Sequence, residues 1–148
     1  MIHFLAKTNL IHLLLGMVAV LVLTGCEQPI VEPVPTGQNN PISTLTAGNF
    51  TQSIKTGKTL VLFAEADCPA CEQLEVQMET AALSKEWPVD LSFAKLNKNG
   101  AEAIFQQNGV TETPTLMYFE GGNKKEMLPS SYAYAHELVN KLEILLED

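Results

Sequence analysis

Two cysteines three positions apart, Cys68 and Cys71, stand just beyond an uninterrupted apolar run, Leu60-Val61-Leu62-Phe63. The run is short and bounded, so Thr59–Ala64 reads as a strand buried on both faces. Pro69 follows Cys68 directly. Its fixed φ and missing N–H suit the first turn of a helix, where that N–H would have no partner. A buried strand must therefore pass within a few residues into a helix that carries both sulfurs. Few arrangements satisfy this other than a sheet with helices packed over it.

The remaining pattern agrees. Asn49–Lys55 reads as a short helix with Phe50 and Ile54 on one side and Gly57 as its stop. Cys71–Lys85 is helical, with Leu74, Met78 and Ala82 on one face. Asp90–Leu96 reads as a second strand, Ala101–Gln107 as a helix closed by Gly109, and Thr115–Phe119 as a third strand. Gly121-Gly122-Asn123 turns into a strand around Lys125–Leu128, and Tyr132–Leu146 is a final amphipathic helix through Leu138, Leu142 and Leu145. The expected fold is α/β: a mixed sheet of four to five strands flanked by helices on both faces, spanning residues 44–148.

Two intervening residues allow both sulfurs to sit in one helical turn, close enough to form a disulfide. Cys68 at the helix start meets free N–H groups and the positive end of the dipole, which stabilise a thiolate. Cys71, one turn in, should be less exposed. Cys68 would then attack a partner disulfide, and Cys71 would resolve the mixed disulfide.

The chain here resembles the thioredoxin superfamily over roughly Leu45–Leu146. The likeness is carried by Leu60–Phe63 leading into Cys68-Pro69-Ala70-Cys71, by Val110-Thr111-Glu112-Thr113-Pro114-Thr115-Leu116, and by the Gly121-Gly122 hairpin before a last helix. The resemblance implies a thioredoxin-like fold with a cis Pro114 against the cysteines. It also implies that Thr113 offers backbone hydrogen bonds to an extended partner chain. Three positions depart from thioredoxins proper. Leu62 stands where they carry a buried Asp, Asp67 where they carry Trp, and Pro69-Ala70 where they carry Gly-Pro. The buried acid serves the second cysteine's proton, so that role lacks its usual owner, and the expected replacement is Glu65, Asp67 or solvent.

Charge bears on the direction of the chemistry. Glu65, Asp67, Glu72, Glu75 and, by the resemblance, Glu112 lie near the cysteines, and no lysine is close to them in sequence. Negative charge disfavours the Cys68 thiolate and makes the couple more reducing. Reductase or isomerase behaviour is expected; the competing reading is that these acids are a solvated face with little effect. The whole chain has nine lysines, no arginine and seventeen acids, for a formal net charge of -8. Nucleic-acid binding is excluded as an expectation, since phosphate needs basic patches.

The N-terminal part reads as an address. Lys7 precedes the apolar run Leu10–Leu23, and Leu23-Thr24-Gly25-Cys26 follows. This quartet resembles the lipobox of bacterial lipoproteins, which implies residues 1–25 as a signal peptide and Cys26 as the lipidated residue. An uncleaved anchor is the competing reading. All seventeen acids follow Cys26. Pro29, Pro33, Pro35 and Pro41 lie within 26–43, which therefore reads as an extended tether, or as a tail packed along the domain. Glu27, rather than Asp, after the Cys leans toward the outer membrane. The expected location is thus the cell envelope, facing the periplasm, with the membrane reached through the lipid.

Other readings of the sulfurs are weaker. Zinc needs four ligands, and with Cys26 acylated the only soft candidates left are Cys68, Cys71 and the distant His136. A copper carrier would need a third ligand. A purely structural disulfide would close too small a ring to stabilise much. No metal and no cofactor are expected. The leading expectation is a lipid-anchored, monomeric thiol–disulfide oxidoreductase acting on protein disulfides or thiols with a separate redox partner. The alternative is a thioredoxin-like binding module, or a copper or other metal chaperone, that uses the CxxC for holding.

Overall fold

The computed structural model describes residues 41–128 and 134–147. In chain order the elements are β1 (Ile42–Leu45), α1 (Phe50–Ile54), β2 (Lys58–Ala64), α2 (Pro69–Leu83), β3 (Leu91–Asn97), α3 (Glu102–Asn108), β4 (Thr115–Glu120), β5 (Asn123–Leu128) and α4 (Ala135–Glu147). The strands form a single five-stranded sheet ordered β1-β3-β2-β4-β5. β3 lies parallel to both β1 and β2, whereas β4 runs antiparallel to β2 and β5. The expected mixed sheet is present.

Strand β1 is where sequence and structure part. Ile42 and Leu45 are buried while Ser43 and Thr44 are exposed. So short a segment shows neither alternation nor an apolar run, and Pro41 beside it gave it the look of a tether. Pairing of Ile42 with Phe93 and Leu45 with Leu96 carries the sheet back to Ile42, two residues before the expected boundary. The second helix also starts earlier than its apolar face suggested, at Pro69 rather than Cys71. The last begins at Ala135, and Tyr132 and Ala133, expected at its start, lie outside the described residues.

Alternation along β2 separates two cores. Leu60, Leu62 and Ala64 meet Leu74 and Met78 of α2 and Leu138 and Leu142 of α4. Val61 and Phe63 face the other way, against Phe50, Ile54 and Phe105. The Phe63 ring is edge-on to Phe50 at 6.0 Å and to Phe105 at 5.0 Å, a favoured arrangement of aromatic quadrupoles. Burial on both faces explains why β2 reads as a continuous apolar run. Gly57, which leads into this strand, has φ +67, and a Cβ there would lie 2.6 Å from the Asp90 carbonyl oxygen. The Lys58 N–H donates to that same oxygen at 2.8 Å, so the close approach serves a hydrogen bond that only glycine permits.

The topology also assembles one end of the sheet. Phe63 near the end of β2 is in register with Thr115 at the start of β4. The loop before β4 therefore lands beside the turn that leads from β2 to the cysteines.

Candidate redox site

Cys68 is the N-cap of α2, with φ -113 and ψ 93, and Pro69 opens the helix behind it. The Cys68 carbonyl accepts from the N–H groups of Cys71 at 2.9 Å and Glu72 at 3.2 Å. The Cys71 N–H also donates to Cys68 Sγ at 3.1 Å. Cys68 and Cys71 are joined as a disulfide across a Cα–Cα distance of 5.2 Å. Their exposure differs as the spacing suggested. Cys71 is 3% exposed and packs in the core, whereas Cys68 is partly exposed at its edge. An incoming sulfur can reach Cys68 and not Cys71. In the reduced state the N–H at Cys68 Sγ and the helix terminus favour the thiolate there. The turn before it is tight: Asp67 has φ 56, in the left-handed region seldom used by residues with a side chain.

The Thr113–Pro114 peptide bond is cis. Thr113 Oγ1 donates to Glu65 Oε1 at 2.7 Å, which joins this loop to the β2–α2 turn. Thr115 Oγ1 donates to the Glu112 carbonyl at 2.7 Å and closes the loop from its other side. No hydrogen bond within the described residues occupies the Thr113 backbone. Between α2 and this loop lies an open cleft of about 490 Å³, lined by Ala70, Gln73 and Gln77 of α2, by Thr113 and Pro114 of the loop, and by Tyr134. Gln77 Oε1 accepts from the Ala135 N–H at 3.0 Å and holds the start of α4 against α2.

The thioredoxin family model matches residues 41–143, well over half of the chain. The chain belongs to the thioredoxin family. Among similar proteins, a zebrafish (Danio rerio) protein named Glutaredoxin 3 is 33% identical over 87 residues, 59% of this chain and 25% of that protein. A Fusarium culmorum protein named Thioredoxin-like protein is 29% identical over 82 residues, 54% of this chain and 68% of its own length. The chain thus spans a quarter of the zebrafish protein. The oxidised mitochondrial thioredoxin 3 of Saccharomyces cerevisiae superposes with a TM-score of 0.57 at 20% identity, over 69% of this chain and 93% of the other. Human ERp44 gives 0.59 at 19% identity, over 69% and 28%. At these identities the structural likeness speaks for the fold. A thioredoxin domain with its cysteines at bonding distance is consistent with thiol–disulfide redox activity.

Within this thioredoxin domain the electrostatics differ from the sequence expectation. Lysines distant in sequence come back to the site from β3 and the loop after it. The Lys98 N–H donates to the Ala64 carbonyl at 2.8 Å, and the Lys98 ammonium lies 3.6 Å from Glu65 Oε2. Lys95 pairs with Glu75 at 2.5 Å. Two of the five nearby acids are therefore paired. Asp67, Glu72 and Glu112 have no ion pair among the described residues. Registering two parallel strands from sequence would have been needed to foresee this, because β3 lies well beyond α2.

The expected substitutes for the missing acid are not buried under the cysteines. Glu65, with its side chain 45% exposed, is taken up by Thr113 and Lys98. Asp67 is exposed on its turn. Leu62, at the position in question, is fully buried and in register with Lys95. Pro69 and Ala70 are exposed beside the cleft, while Cys26 lies outside the described residues. Trp87 packs edge-on to Phe93, and its Nε1–H donates to the Ala81 carbonyl at 3.1 Å, as befits a packing residue. His136 is exposed and stacked with Tyr134. Among the described residues no group of three or more His, Cys, Asp or Glu side chains is arranged to hold a metal ion.

Proposed function

We propose that this protein is an envelope thiol–disulfide oxidoreductase, anchored through Cys26, that exchanges disulfides with protein substrates and works chiefly as a reductase. The observation that carries the reading is the Cys68–Cys71 disulfide at the mouth of α2, beside a cis Thr113–Pro114 loop. In the reductive direction, the Cys68 thiolate attacks one sulfur of a substrate disulfide and expels the other as a thiolate. Cys71, as thiolate, attacks Cys68 Sγ, forms the intrachain disulfide and expels the second substrate sulfur. The substrate gains two electrons and two protons, and the cysteine pair loses two electrons. A separate dithiol donor resets the pair. Thr113 presents its free backbone groups to an extended segment of the substrate, which lies along the cleft toward Ala70 and Gln73.

The reductive direction draws support from Asp67, Glu72 and Glu112, whose unpaired charges disfavour the Cys68 thiolate. The anchor and the envelope location draw on Leu23-Thr24-Gly25-Cys26 and the apolar run before it, and the outer membrane is favoured by Glu27. Insulin reduction by the full chain, with Cys71→Ser as a trap, tests the chemistry. Turnover by the native chain and Cys68-linked adducts with the variant are expected. No reduction and no adducts would remove the reading. Labelling with a radioactive fatty acid tests the anchor separately, with incorporation expected in the native chain and abolished by Cys26→Ala.

A further inference from the structure

Cys71 must lose a proton to attack Cys68, yet it is buried against Leu74 and hydrocarbon surrounds it on the sheet side. Leu62 below it carries no base. One residue to the side, however, the sheet does carry charge. Lys95 is the β3 partner of Leu62 and lies on the same sheet face as Leu91 and Phe93, the face covered by α2. It reaches up to Glu75, and both side chains are mostly withdrawn from solvent, at 21% and 28% exposed. Glu75 is four residues after Cys71 on α2, so the two side chains share one face of the helix, with Cβ atoms about 5–6 Å apart. That spacing brings a carboxylate within reach of Cys71 Sγ, directly or through one water.

We infer that Glu75, positioned by Lys95, accepts the proton of Cys71 when Cys71 resolves the mixed disulfide. The inference rests on the thiol–disulfide reading above and assigns a residue to a step which that reading leaves without a base. The proton moves from Cys71 Sγ to Glu75. The Cys71 thiolate then forms its bond to Cys68 Sγ, and the Cys68–substrate bond breaks with the electron pair leaving on the substrate sulfur. The partly open side of the pair returns the proton to solvent. In the reverse direction the protonated Glu75 delivers the proton to Cys71 as its bond to Cys68 opens. The charged neighbours of Glu75 are Lys95 from β3 and, on α2 itself, Glu72 and Glu79. The register partners of Lys95, Thr44 on β1 and Leu62 on β2, are uncharged.

The test uses the reduced full-length chain and an aromatic disulfide, 5,5′-dithiobis(2-nitrobenzoate). The first coloured thiolate leaves when Cys68 attacks, the second when Cys71 resolves, so the two steps are read separately in one stopped-flow trace. Glu75→Gln should leave the first phase unchanged and slow the second about 100-fold at neutral pH, the usual scale of a lost proton acceptor. The slowed phase should quicken steadily with rising pH and converge on the native rate in alkali. Glu75→Asp should restore much of it, and Lys95→Met should slow the same phase. A second phase in Glu75→Gln with the native rate and pH profile would overturn the inference, as would a folded Glu75→Asp no faster than Glu75→Gln. Either result leaves insulin reduction and Cys71→Ser trapping by the otherwise native chain intact. Failure of those two would instead remove the thiol–disulfide reading itself.

Discussion

Glu65 Oε1 accepts the Thr113 hydroxyl at 2.7 Å across 48 residues of chain, so the turn that delivers Cys68 and the loop that holds the cis proline are fastened to each other. Each is short and ends at a strand, and their relative position sets the width of the cleft between them. Removing the hydroxyl with Thr113→Val keeps the branched shape and cuts the tie. KM for a protein substrate should rise about 2- to 10-fold, the range of one modest hydrogen bond. Reduction of a small disulfide, which does not span the cleft, should proceed at the native rate. Steady-state kinetics with insulin and with an aromatic disulfide separate the two.

Lys98 balances Glu65 at the same place. Lys98→Met leaves that carboxylate uncompensated near the sulfurs, so the Cys68 thiolate loses stability and its thiol pKa rises. Both partners are about half exposed, so solvent screening keeps the effect small. A higher thiol pKa favours the disulfide, so the couple becomes more reducing. Alkylation of Cys68 as a function of pH, and equilibration against glutathione, measure the two effects.

Tyr118 weakens the fold at alkaline pH. Its hydroxyl is buried with no hydrogen-bond partner among the described residues, and burial, with smaller contributions from Glu120 and Asp90, pushes its pKa up to about 12. An unfolded tyrosine ionises near pH 10. Between these values the folded state holds the proton that the unfolded state has released, so stability falls as pH rises. The stability is fully present below about pH 10, is lost progressively up to about 12, and levels off above. Tyr118→Phe should flatten this decline and should be no less stable at neutral pH, because it removes an unpaired polar atom. Denaturant melts across the alkaline range, with absorbance at 295 nm reporting tyrosinate, give the test.

Met78 fills the space between α2 and the sheet and is fully buried. Met78→Ala should cost about 2–5 kcal/mol of folding stability, the range for such truncations. Redox exchange by the fraction that stays folded should be close to native, since the residue lies two helical turns beyond Cys71. Urea titration measures the first expectation and stopped-flow exchange the second.

What the sequence disclosed follows from how local each signal is. The β2 run, the proline after Cys68, the Gly109 stop and the Gly121-Gly122 turn act within a few residues of themselves, and all were legible. Strand β1 was not, because four residues with only the outer two buried look like any short loop until Phe93 and Leu96 lie beside them. The cysteine pair and the proline loop were legible as motifs. The pairing of charges was illegible for the same reason as β1. Lys95 and Lys98 come close to Glu75 and Glu65 only through parallel pairing of β2 with β3, a contact between segments separated by a whole helix.

The unequal exposure of the two sulfurs has a protective side. Peroxides from solvent encounter Cys68 first, and oxidation of a reduced pair begins as a sulfenic acid on that residue alone. Cys71, shielded beneath it and still a thiol, condenses with the sulfenic acid, releases water and returns the pair to a disulfide before oxidation can proceed to the irreversible acids. On the proposed reading, a site that trades electrons with other proteins thereby carries its own repair.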